Sequence, residues 1–299
     1  MSARPAVGIA LVVAALVAAI VAAARLGGAG AASPGAVSST ARIVALSPAL
    51  TETLFAIGAG GQVVAVDDYS EHPEAARALP RVGSALRPDH ERIVAARPTL
   101  VVGEQIRAAR EEELARIART VLLPWLTVQE IASSTRELGA LTGRVPEADA
   151  LAARLSSELS RRPRPGAPRV LLVLRYAAGA PTDIVYIRRG SVHGAALEAA
   201  GAENAVPDDA EGVPRLSLER VLALDPDAIL VLTGASGTTA DRSVVANEWR
   251  HLRSLRAVRD ARVGAVPGGE AYSNGPRILD LVGRLAAELR ALGVEPTPG

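Results

Sequence analysis

Four of the seven aromatic residues in this sequence fall just after a short apolar run. Tyr69 follows Val63–Val66, Trp125 follows Val121–Leu123, Tyr176 follows Val170–Leu174 and Tyr272 follows Val263–Val266. Flat side chains at such places suit a large planar or amphipathic ligand better than bond-making chemistry. Arg107, Arg175, Arg188, Arg189 and Arg277 lie in or beside the same stretches. A guanidinium pairs bidentately with carboxylate or phosphate, which adds an affinity for anionic groups. Each arginine is a weak signal by itself, because all 33 Lys-plus-Arg positions are arginine.

Other chemistry is poorly supplied. Ser47 or Ser70 with His72 and Asp67 gives the residue types of a hydrolase triad, but no Gly-x-Ser-x-Gly elbow is present. His72, His90, His193 and His251 come one per segment, without the spacing that puts two ligands on one helix face, so no metal site is expected. The absence of cysteine excludes a thiol nucleophile and a structural disulfide. The absence of lysine excludes a Walker-type phosphate loop and a Schiff base. A net charge of +1 gives no electrostatic case for nucleic acid. A binding protein, not an enzyme, is expected.

The apolar runs that precede the aromatics read as strands buried on both faces, and amphipathic stretches alternate with them. The opening unit sets the pattern. Ile43–Leu46 is a strand, Ser47 an N-cap and Pro48 the first helical residue. Leu50, Leu54, Phe55 and Ile57 form an apolar helix face that ends at Gly58, with Glu52 on the opposite side, expected to be exposed. Helices are further expected over 88–96, 107–119, 130–141, 146–160, 192–200, 218–224, 243–251 and 276–292. Strands are expected at 99–102, 121–123, 170–174, 183–186, 228–232 and 263–266. The run Arg161-Arg-Pro-Arg-Pro-Gly-Ala-Pro breaks the chain in two. Residues 42–145 read as an N-terminal α/β lobe, 146–161 as an interlobe helix, 162–292 as a C-terminal α/β lobe and 293–299 as a tail.

An internal repeat supports two lobes. Glu91-Arg-Ile-Val-Ala-Ala-Arg-Pro-Thr-Leu-Val-Val in the first half is echoed by Glu219-Arg-Val-Leu-Ala-Leu-Asp-Pro-Asp-Ala-Ile-Leu-Val in the second. In open α/β sheets ligands bind outside the carboxyl ends of strands, so two lobes with those ends facing would hold the ligand in a cleft between them. Ahead of the lobes, residues 1–26 carry Arg4 and an apolar run from Ala6 to Ala24, readable as a secretory signal peptide or as an N-terminal membrane anchor. Residues 27–41 read as a flexible linker. Either way the lobes are exported, free in the periplasm or tethered to the inner membrane.

The ordered set Ser47-Pro-Ala-Leu-Thr-Glu52, Asp67-Asp-Tyr69-Ser70, Leu79-Pro-Arg-Val-Gly83, Glu91-Arg-Ile-Val-Ala-Ala, Gly201-Ala-Glu-Asn, Ser217-Leu-Glu219-Arg-Val-Leu and Gly275-Pro-Arg-Ile resembles the substrate-binding proteins of ABC importers for iron chelates, haem and vitamin B12. The resemblance runs from about Ala41 to Leu292. It implies an α/β fold of two Rossmann-like lobes joined by a single long helix, a ligand cleft between them and little hinge motion. It also implies a monomer that takes a small-molecule cargo and no resident cofactor. The implied partners are ABC permease subunits with their cytoplasmic ATPase. Glu52 and Glu219 resemble the two carboxylates, one per lobe, that dock on permease arginines. Tyr69 resembles the aromatic that packs on the corrin in vitamin B12 binders. Ser84 stands where haem binders of the family typically carry a tyrosine ligand, and the tryptophan of vitamin B12 binders in that region is missing. The implied ligand set is Tyr69, Ser84, Trp125, Arg175, Tyr176 and Tyr272. A corrinoid ranks first, a ferric siderophore next and haem third. A membrane-anchored relative that keeps the fold without transport is the rival from another class.

Overall fold

The computed structural model describes residues 41–106, 111–177, 181–207, 214–233, 241–269 and 273–299. The signal or anchor segment, nearly all of the linker, Arg107 and Tyr272 lie outside the described residues. Among the described residues no helix is long and apolar enough to cross a membrane.

The chain opens with β1 (Ile43–Ala45), which is wholly buried, and turns at Ser47 into α1 (Pro48–Ala56). The Ser47 hydroxyl accepts from the Leu50 amide at 3.2 Å, satisfying one of the free N–H groups of the first turn. β2 (Val63–Val66) follows, and after it comes a small hairpin of β3 (Gly83–Ser84) and β4 (Arg87–Pro88). The hairpin hangs beside the end of β2, where the Asp68 amide donates to the Gly83 carbonyl at 2.8 Å. Two-residue strands carry no readable alternation, so they leave no periodic mark in the sequence. Beyond α2 (Glu74–Arg77) and α3 (His90–Ala95), β5 (Leu100–Glu104) and β6 (Arg119–Leu123) complete a parallel sheet in the order β2-β1-β5-β6.

One expected helix is shorter than the sequence suggested. Residues 107–119 were expected to be helical, but α4 covers only Glu111–Ala115 among the described residues. The parallel register pairs Leu100 with Arg119, so ladder hydrogen bonds draw Arg119 and Thr120 into β6 against the charged, helix-favouring pattern before them.

α5 (Val128–Thr142) and α6 (Val145–Leu159) then form an antiparallel pair. Thr127 and Glu130 make a reciprocal capping box at the start of α5. α6 covers 145–159, against the helix expected over 146–160. Its Leu155 and Leu159 belong to the same continuous core as Leu50 and Leu54 on one side and Leu281 and Leu285 on the other.

The second lobe is built on β7 (Arg169–Arg175). β8 (Ile184–Tyr186) runs antiparallel to it, α7 (Val192–Ala199) follows, and β9 (Glu203–Asn204) pairs with the start of β7. β10 (Arg215–Leu216), α8 (Leu218–Leu224) and β11 (Ala228–Thr233) come next, then α9 (Arg242–Trp249), α10 (Arg256–Arg259), β12 (Val263–Pro267) and α11 (Ile278–Ala291). The main path of this sheet is β10-β8-β7-β11-β12, with β7, β11 and β12 parallel. β12 is an edge strand. Its Ala265 amide donates to Glu288 Oε1 of α11 at 3.2 Å, and Arg242 of α9 grips the same carboxylate at 2.7 and 2.8 Å. The fold is thus the expected two-lobed α/β architecture.

Candidate functional site

The carboxyl ends of both parallel sheets meet at one seam. On the first lobe it is built from Ala49 and Glu52, in the helix that follows β1, and from Trp125, just past β6. On the second it is the segment 273–277, which leads from β12 into α11. Arg277 Nη2 donates to Glu52 Oε1 at 2.7 Å, and the Ser273 hydroxyl donates to Glu52 Oε2 at 3.0 Å. Trp125 Nε1 donates to the Asn274 carbonyl at 3.0 Å. Gly275 lies so close to α1 that a Cβ there would stand 2.9 Å from Glu52 Oε2 and 3.2 Å from Ala49 Cα. With α6 on one side and this seam on another, the two lobes are held at two places.

Glu52 therefore corrects the sequence reading. It was expected to be exposed, and only 6 % of it is. α1 has Thr51, Glu52 and Thr53 buried as well as its leucines, because it is covered by its own sheet on one side and by the second lobe on the other. A helix wheel sees only the first of those neighbours. Glu219 meets its expectation of exposure, in the first turn of α8 behind the Ser217 cap.

The expected ligand residues separate into two kinds. Tyr69 stands 69 % exposed past the end of β2, and Arg175 is exposed at the end of β7 with no ion pair among the described residues. Trp125 is 2 % exposed and its N–H is spent on the seam, so it braces the lobes and does not present a face to a ligand. Tyr176 is likewise committed: its hydroxyl bonds Glu248 and its ring meets Trp249 edge-on, 5.7 Å between centroids. Burial, reinforced by the Glu248 carboxylate, raises the Tyr176 phenol well above its ordinary range and keeps it neutral. The Ser84 hydroxyl accepts from the Arg87 amide at 3.2 Å and closes the β3–β4 turn. Arg189 is held by Glu198 at 2.8 Å, and Arg277, expected beside the ligand, is held by Glu52.

Two further large apolar side chains are as open to water as Tyr69. Leu86, in the β3–β4 turn, is 62 % exposed and Leu126, past β6, is 73 % exposed. Leu126 follows the carboxyl end of β6, so the rule that singles out the aromatics would find it if applied to leucine, whereas Leu86 lies in the separate β3–β4 hairpin beside the end of β2, where no apolar run marks it. Together the three leave an apolar rim in water at the end where the lobes meet.

Behind Tyr69 lies a buried polar cluster. Ser70 Oγ bonds both Asp67 Oδ1 and the Thr51 hydroxyl, and the Asp67 carboxylate also accepts from the Tyr69 amide at 3.1 Å. Burial pushes the Asp67 carboxyl above its usual range, against the pull of the Ser70 hydroxyl, the Tyr69 amide and the Arg81 charge. Burial also raises Glu104, at the end of β5, opposed by the Ser47 hydroxyl and assisted by the Asp67 charge. These bonds fix the turn from which Tyr69 projects. Among the described residues no group of three or more His, Asp or Glu is placed to hold a metal ion. The serine, histidine and aspartate of the paper triad do not assemble: the Ser70–Asp67 bond is buried inside the turn.

The periplasmic binding protein family profile matches residues 43–268. The chain is 28% identical over 222 residues to a vitamin B12-binding protein of Salmonella typhimurium, covering 73% of this chain and 80% of the relative. It is 25% identical over 255 residues to a vitamin B12-binding protein of Pectobacterium carotovorum, covering 84% and 89%. Among solved structures, a periplasmic heme binding protein from Pseudomonas aeruginosa superposes with a TM-score of 0.68 at 25% identity, covering 86% of this chain and 94% of that one. A periplasmic vitamin B12 binding protein of Vibrio cholerae gives 0.65 at 24% identity over 84% and 97%. A periplasmic heme binding protein of the same organism gives 0.71 at 23% over 84% and 99%. These last two speak for the fold.

Proposed function

The chain belongs to the periplasmic binding protein family, and from that premise we propose that it captures a corrinoid or a ferric chelate between its lobes and delivers it to a membrane permease. It is a binding protein of the type that serves vitamin B12, haem and siderophore ABC importers, and not an enzyme. The observation that carries the ligand class is the apolar rim of Tyr69, Leu86 and Leu126, left in water at the seam. A rim of that kind suits a large macrocycle, and the exposed Arg175 on the other lobe suits an acidic group at its edge.

Within that class a corrinoid is the first choice. The curated relatives quoted above are vitamin B12-binding proteins, and the position where haem binders of this family carry a tyrosine is Ser84, whose hydroxyl is used by its own turn. Haem is the second reading, favoured by the exposed Arg175, which suits a propionate. Titration of the full chain with cyanocobalamin, haem and a ferric hydroxamate, followed by ligand absorbance and tryptophan emission, tests the proposal. A saturable response to cyanocobalamin supports the first choice. A response to haem alone moves the assignment to the second, and silence to all three overturns it.

Docking rests on the two carboxylates. Glu219 is exposed and available to a permease arginine. Glu52 can serve as the second contact only if the incoming cation displaces Arg277, so docking on the first lobe would be an exchange of partners at the lobe seam.

A further inference from the structure

Away from the seam, the second lobe carries a concavity of about 1010 Å³ between α9, α10 and β12. Its floor is apolar, formed by Ala246, Val258, Ala261 and Val263. Its rim is cationic: Arg250, Arg253 and Arg259 line it together with Arg242. None of the lining residues is acidic.

Among the described residues, three of those guanidinium groups have no counter-ion. Arg250 Nη1 donates to the amide oxygen of Asn247 at 2.7 Å, and Arg259 Nη1 donates to the Ser254 carbonyl at 2.8 Å, both neutral acceptors. Arg253 is exposed and has no hydrogen bond or ion pair among the described residues. The carboxylates of the flanking elements are spent elsewhere. Glu288 holds Arg242, Asp225 and Asp227 hold Arg256, Asp260 holds Arg262, and Glu248 takes the Tyr176 hydroxyl. Asp241 precedes α9 and does not line the concavity. In a chain of net charge +1, three unneutralised arginines around one apolar hollow are a local excess.

We propose that this concavity is a site for the headgroup of an anionic phospholipid, with the phosphate among Arg250, Arg253 and Arg259 and the first methylenes of the acyl chains on the apolar floor. Guanidinium groups match phosphate geometry, and alkyl chain is the complement of a floor without donors or acceptors. An acidic peptide fits less well, because a floor of alanine and valine offers its backbone no partners. A protein of an importer works within reach of lipid, and such a contact on the side away from the seam would hold it near the membrane between docking events.

The test uses the full chain and dihexanoylphosphatidylglycerol below its micellar concentration, with binding followed by calorimetry. Dihexanoylphosphatidylcholine and inorganic phosphate are the comparison arms. Saturable binding of the anionic lipid is expected, at least about tenfold tighter than either comparison and weaker at raised ionic strength. Arg253→Gln, which removes a side chain without partners, should weaken it about threefold. The triple variant R250Q/R253Q/R259Q should weaken it by about tenfold or more, with an unchanged thermal melt. Equal binding of the two lipids, phosphate binding as tight as the anionic lipid, or no loss in either variant overturns the proposal. Failure of cyanocobalamin to bind would leave this result untouched, so the two readings fail separately.

Discussion

Replacing Arg277 with methionine is expected to cost more stability than neutralising its partner Glu52. The two charges stand 2.7 Å apart across the lobe seam, with side-chain exposures of 25% for the arginine and 6% for the glutamate. At that distance and an effective dielectric of about 20 their attraction is about 6 kcal/mol before desolvation. Solvent at the guanidinium and the cost of burying both ions reduce the net effect of breaking the pair to about 2–3 kcal/mol. The two single changes are not equivalent. Arg277→Met strands a buried carboxylate with the Ser273 hydroxyl as its remaining seam donor, whereas Glu52→Gln leaves a neutral acceptor and an arginine that can turn to water. Urea unfolding of the two single variants and the double variant measures the pair directly. The expected coupling is about 2 kcal/mol, with a fall in Tm of about 5 °C or more for Arg277→Met and a smaller one for Glu52→Gln. A coupling below about 0.5 kcal/mol, or a Glu52→Gln cost equal to that of Arg277→Met, would refute the reasoning.

Gly275→Ala should open the same seam by sterics alone, because its Cβ would press on Glu52 Oε2 and on the α1 backbone at Ala49. A loss of about 1–3 kcal/mol is expected, with a red shift of tryptophan emission as Trp125 loses its cover, and an unshifted spectrum would count against the seam. Asp67 and Glu104 both have folded-state carboxyl values raised above their ordinary 3.8 and 4.5. The fold prefers their protonated forms, so their contribution is present in acid and is lost as pH rises through the raised values. Relative to Asp67→Asn and Glu104→Gln, the unmodified chain should lose stability from about pH 4 upward, read as urea midpoints between pH 4 and 8. A relative gain over that range would contradict the burial argument. Glu219→Arg should abolish transport while leaving ligand affinity unchanged, measured by uptake in cells and titration of the purified chain, and normal uptake would remove Glu219 from docking.

Local signals in the sequence were read well where they act through neighbours in the chain. Ser47, Pro48 and Gly58 were assigned as cap, first helical residue and terminator, and the structure has Ser47 capping Leu50 and Gly58 at φ +77 just past the helix. The apolar runs gave the long strands, and the echo between Glu91 and Glu219 gave the second lobe. What failed were statements about water. Glu52 is covered by an arginine 225 positions away and Trp125 by a carbonyl 149 positions away, and no periodicity within a helix or strand encodes that distance. Trp125 and Tyr176 both follow strand ends, yet a ring at a strand end can turn outward or back to the lobes, and the apolar run before it does not encode which. Leu126 follows a strand end as the rings do, while Leu86 lies in a hairpin too short to show in the sequence.

The grip of Arg242 and Glu288 on β12 bears on how the protein can be kept at high concentration. An open strand edge offers its amides to a strand of another copy, and a sheet that ends in such an edge invites copies to zip together. Here the Ala265 amide already donates to a carboxylate that an arginine holds in place, so the carbonyl of a second chain would find that donor taken and a charge pair in its way. Gly264 reinforces this, since a side chain there would collide with Glu288 and push the guard aside. Crowding then brings copies into collision without offering them this edge of the second sheet.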